Sequence, residues 1–149
     1  MLSIKKILVT TDFSEPSYKG LDAAIDLAEL FHAELAIVHV LAVLPPNPSD
    51  PNISFEVPEF EAIVHKDSCD KLQEIVKTRI PAGIKAEPII GHGHAAKEII
   101  RIAGEEKVDL IVIATQGHTG WSHLLLGSVA EKVIRHSPCP VFCVRQEPA

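Results

Sequence analysis

The sequence predicts an α/β domain: an open, five-stranded parallel sheet with helices on both faces. Short apolar runs rich in β-branched residues recur along the chain, and longer segments with helical periodicity separate them. The runs are apolar on both faces rather than alternating, which suits strands covered by a helical layer on each side. The chain has 149 residues, of which 46% are hydrophobic. That is enough for one domain, residues 1–149, with one sizeable core.

Taken in order, "IKKILVTT" (residues 4–11) is the first strand. The helix after it, within residues 12–33, sets Leu21, Ala24, Ile25, Ala28 and Phe31 at inward spacing, with Ser14 as N-cap and Pro16 in the first turn. "ELAIVHVLAV" is the second strand. Residues 42–58, with five prolines, read as an extended connector leaving the ligand-binding edge of the sheet, either a solvated linker or a lid. The second helix, residues 60–80, turns Ile63, Leu72, Ile75 and Val76 inward. "IKAEPIIG", "HAAKEIIRIAGEEK", "VDLIVIAT", "GSVAEKVIRHS" and "PVFCVR" complete the alternation as strand, helix, strand, helix and strand.

A formal charge of −6 and a pI near 5.7 argue against nucleic acid and anionic membrane as partners, since both select a basic face. No run approaches the roughly 18 apolar residues of a membrane span, so a soluble, cytoplasmic protein is expected. Cys69, Cys139 and Cys143 are odd in number, and the last two lie too far apart along a strand to pair. They read as buried structural thiols in a reducing compartment.

The chemistry concentrates in "ATQGHTGWSHLLLGSVAEKVIRHS", a strand end, a glycine-rich loop and a helix. It contains neither the lysine of a P-loop nor a dinucleotide G-x-G-x-x-G. Gly117 and Gly120 free the backbone to approach a ligand, and Ser128 with Glu131 has capping-box spacing. Unpaired N–H groups of Gly127, Ser128 and Val129 at a helix N-terminus would bind an anion without a cationic side chain.

Gly117, nine residues, then Gly127-Ser128 resembles the latter part of the G-x2-G-x9-G-[ST] motif of the universal stress protein family. The resemblance extends over nearly the whole chain, from "KKILVTTDFS" through "AIVHVL" and "DLIVIATQGHTG" to the last strand. It implies the adenine nucleotide alpha hydrolase-like fold with strand order 3-2-1-4-5, a dimer, and the branch of the family that binds ATP, another branch binding none. Carried over by residue, Asp12 matches the aspartate after the first strand, Val40 the position whose backbone meets adenine, and Gly117, Gly127 and Ser128 the phosphate loop. Ala114 stands where the motif has its first glycine, and its methyl would crowd a ligand if the backbone had to approach closely.

In that strand order a crevice opens between Thr10, Thr11 and Asp12 on one side and residues 114–117 on the other. Asp12 is then placed to bond adenine or ribose, with Mg²⁺ coordination the second option and capping of the first helix the structural alternative. His92, His94, His118 and His123 fall in loops at the same edge and invite a metal site, but the strands they follow are separated in the sheet, so the two pairs need not meet, and solvated loop histidines are the alternative. His118 or His123 contacting phosphate, and Trp121 lying over the ligand or packed on the protein, remain open. The loop has no lysine or arginine to neutralise a transferring phosphoryl group, so binding of ATP with Mg²⁺ is favoured over turnover. The last strand, apolar on both faces at the sheet edge, is the expected homodimer contact.

Overall fold

The computed structural model describes residues 2–42, 57–115 and 126–145. The elements are β1 (Lys6–Thr10), α1 (Glu15–Phe31), β2 (Glu34–Leu41), α2 (Val57–Arg79), β3 (Ala86–His92), α3 (Ala95–Glu105), β4 (Leu110–Ala114), α4 (Ser128–His136) and β5 (Val141–Val144). The strands form one sheet in the order β3-β2-β1-β4-β5, all neighbours parallel. The expected fold class and order therefore hold. Among the described residues no helix is long and apolar enough to cross a membrane.

Alternation along the strands sorts the core into two layers. Ile7, Val9, Leu35, Ile37 and Val112 face α1 and α2, whereas Leu8, Val38, Ile111 and Ile113 face α3 and α4. Helix α1 starts as anticipated: Ser14 is the N-cap, its side chain accepts from the Ser17 amide, and a proline occupies the first turn. It ends at His32, in the left-handed region at φ 54°. Its buried stripe of Ser17, Gly20, Leu21, Ala24 and Ala28 is mostly small, which brings the helix close to the sheet.

Two expectations fail at the margins. Phe31 and Ile63 continue the inward spacing but are 40% and 67% exposed. The three cysteines are free but not buried: Cys69 and Cys139 are half-buried and Cys143 is exposed on the edge strand. Of the connector expected over residues 42–58, residues 43–56 lie outside the described residues, and α2 already begins at Val57.

Candidate functional site

At the carboxyl ends of the strands a cavity of about 330 Å³ opens where β1 and β4 part, since their following helices leave to opposite faces. Thr10, Thr11 and Asp12 form one wall, Ala114 and Thr115 another, and Gly127, Ser128 and Val129 the floor. Val38, Val40, Ile99 and Ile113 add an apolar slot. The structure thus brings together every described residue expected at the site. Gly117, His118 and Gly120, with Trp121 and His123, lie outside the described residues.

The turn after β1 is held by a chain of hydroxyls. The Thr11 amide still pairs with the Val38 carbonyl at 2.9 Å, as the ladder requires. Beyond it the Phe13 amide turns back onto Thr11 Oγ1 at 3.0 Å. Ser17 Oγ spends its proton on the Ser14 carbonyl at 2.7 Å, so the 2.9 Å contact between Thr11 and Ser17 is donated by Thr11. Asp12 Oδ1 accepts from the Ser14 amide at 3.0 Å and from the Ser14 hydroxyl. The carboxylate therefore supports the helix start while lining the cavity, and the two readings of Asp12 are not exclusive.

Phe13 sits at φ 66°, a left-handed conformation that costs a side-chain-bearing residue roughly 1–2 kcal/mol. Its ring packs on the His39 ring, centroids 4.4 Å apart, which offsets part of that cost. His39 Nδ1 lies 2.7 Å from the Thr11 carbonyl, which can only accept, so Nδ1 carries the proton. Burial pushes the His39 pKa below its ordinary value, against the opposing pull of the Thr11 bond and the Asp12 charge. Sequence reading had missed His39 and Thr115. A histidine in an apolar strand carries no signal of lining a site; only the register, which puts it opposite the end of β1, reveals it.

Two details of the floor differ from expectation. Gly127, not Ser128, is the N-cap of α4, and no side chain caps the helix, so Ser128 and Glu131 form no capping box. The Gly127 amide donates to the Thr115 carbonyl at 3.1 Å and is not available to an anion. The N–H groups of Ser128, Val129 and Ala130 remain, being the first-turn donors that a helix cannot satisfy internally. Gly127 is required for a different reason: a Cβ there would lie 2.9 Å from the Thr115 carbonyl oxygen.

Ala114 has no positive φ, and its methyl points to the α1 side, 3.7 Å from where a Cβ on Gly20 would stand. The residue offers its backbone, rather than its side chain, to the α4 side of the crevice. Among the histidines, His92 closes β3 and stacks on His65 of α2, with ring centroids 5.4 Å apart, while His94 precedes α3. No group of three or more metal-ligating side chains forms among the described residues.

The donors suit an adenine nucleotide. An apolar slot beside unpaired strand backbone would take a base, the first-turn amides would donate to phosphate oxygens, and Asp12 is the carboxylate of the lining that would stand nearest a Mg²⁺ ion held by those phosphates.

The model of the universal stress protein family matches residues 3–145. The universal stress protein YxiE of Bacillus subtilis is 37% identical over 94% of this chain and 98% of its own length. The solved structure of MJ0577 superposes with a TM-score of 0.84 at 31% identity, covering 99% of both chains. A universal stress protein solved in complex with cAMP shares the fold, with a TM-score of 0.67 at 24% identity over 97% of this chain and 99% of that one. With a family match across nearly its whole length and a five-stranded parallel sheet in the order 3-2-1-4-5, this chain belongs to the universal stress protein family.

Proposed function

We propose that this protein binds ATP with Mg²⁺ in the crevice between β1 and β4 and acts as a nucleotide-dependent regulatory homodimer in a stress response. The observation that carries the reading is convergence: the unpaired backbone edge at Val40, the Asp12 carboxylate and the first-turn amides of α4 open onto one cavity. Base, ribose and phosphate each then meet a partner of the right chemistry. The relative solved with cAMP bears on the base and ribose, not on the number of phosphates.

Turnover is not part of the reading. The described site holds no arginine or lysine to stabilise charge on a transferring phosphoryl group. Calorimetric titration with MgATP, run beside a phosphate-release assay, tests both halves. Saturable binding with turnover well below roughly 1 per second, the lower end for ordinary enzymes, is expected. Hydrolysis at or above that rate would favour an enzyme, and absence of binding would favour the nucleotide-free branch of the family.

A further inference from the structure

In a parallel pair each residue facing its neighbour uses both its N–H and its C=O on that neighbour, and alternate residues face the same way. The Val38 carbonyl accepts from Thr11, so Val40, two residues on, also points its N–H and C=O toward β1. Had the ladder continued, the Val40 amide would have paired with the Thr11 carbonyl, and the Val40 carbonyl with the Phe13 amide. Both partners are diverted. The Thr11 carbonyl takes the His39 Nδ1–H at 2.7 Å, and the Phe13 amide takes Thr11 Oγ1 at 3.0 Å. The register accordingly stops at Thr10 with Val38, although β2 runs on to Leu41.

We infer that His39 is a positioning residue that holds the β1–β2 ladder open, taking the acceptor the Val40 amide would otherwise use and so reserving that amide for a ligand acceptor such as a ring nitrogen of adenine. The ligand half rests on the ATP-binding reading; the ladder half does not. His39 suits the task because its ring lies against Phe13 at 4.4 Å and is fixed there, while Nδ1 presents a single donor.

The test uses the full-length protein and two substitutions. In His39→Phe the ring contact with Phe13 is kept and the donor is lost. In His39→Asn the side-chain amide nitrogen stands near the place of Nδ1. Amide hydrogen exchange without nucleotide should find Val40 exchanging freely in the parent and in His39→Asn, and at least tenfold more slowly in His39→Phe, where it closes onto Thr11. ATP affinity should fall at least tenfold in His39→Phe and stay within threefold of the parent in His39→Asn. Nitrogen chemical shifts of the parent at neutral pH should show the proton on Nδ1, a measurement that needs no variant to fold. A slowly exchanging Val40 amide in the parent, unchanged exchange in folded His39→Phe, or the proton on Nε2 would overturn the inference. Confirmation of these with no ATP binding by the parent would instead retire the nucleotide reading and leave the ladder role standing.

Discussion

A Cβ at Gly127 would come within 2.9 Å of the Thr115 carbonyl oxygen, closer than packed atoms tolerate, whereas the Ala114 methyl rests against Gly20 on the far side of the sheet. The two positions of one motif therefore respond oppositely to substitution. Gly127→Val should push α4 away from Thr115, costing about 1–3 kcal/mol of stability as an overpacked site does, and abolish ATP binding by displacing the amides rather than by filling the phosphate position. Thermal melts beside titrations would show both losses together; a variant as stable as the parent would contradict this. Ala114→Gly should leave affinity level and lower stability by about 0.5–1 kcal/mol through added backbone freedom. Tighter ATP binding would mean that the methyl does crowd the ligand. Ser128→Ala removes a hydroxyl that caps nothing in the folded helix. Stability should stay within about 0.5 kcal/mol, while a lost phosphate hydrogen bond would weaken binding by about 1–2 kcal/mol.

Elements were legible wherever a local pattern caused them. The Ser14 cap with its proline, the inward stripe of α1 and all five strands follow from residues within one turn or one strand of each other. What escaped was set by residues distant in sequence. Phe31 and Ile63 obey the helical period and still lie exposed, since the period marks a face of the helix and not what covers it. The α4 cap is Gly127, whose amide is pinned by the carbonyl of Thr115, just past the end of β4. His39 became visible only through the register of β2 against β1. It also gives this region a pH dependence. Burial lowers its folded pKa below the ordinary 6.5, so between those two values the unfolded chain binds more protons than the folded one. Its contribution is present in full above pH 6.5 and is lost as pH falls through the lower folded value, with Asp12 opposing and Lys71 reinforcing the shift. Denaturant unfolding from pH 8 to 5 should show the stability advantage of the parent over His39→Asn shrinking as pH drops; a constant difference would exclude His39 as its source.

At the scale of the molecule, periodicity supplied strands and helices but not which strands are neighbours; the 3-2-1-4-5 order came through family resemblance and is observed. That order leaves β3 and β5 as edges. In β5 the Ile111 amide bonds to the Pro140 carbonyl and the Thr115 amide to the Val144 carbonyl, so Pro140, Phe142 and Val144 direct their backbone toward β4. Val141 and Cys143, between them, direct theirs outward, and Phe142 and Cys143 are exposed beside this edge. An edge of this kind, four residues without a charge or an internal proline, invites a second strand. Val141→Pro is the discriminating change because it deletes an N–H that points away from β4, a place where a sheet tolerates proline. The fold should survive, with circular dichroism unchanged, while a homodimer paired through β5 loses a central hydrogen bond and gains a steric block. Sedimentation at micromolar concentration is therefore expected to find the parent dimeric and Val141→Pro shifted to monomer. A monomeric parent, or a dimer that the substitution leaves intact, would place the contact elsewhere or remove the dimer from the proposed function.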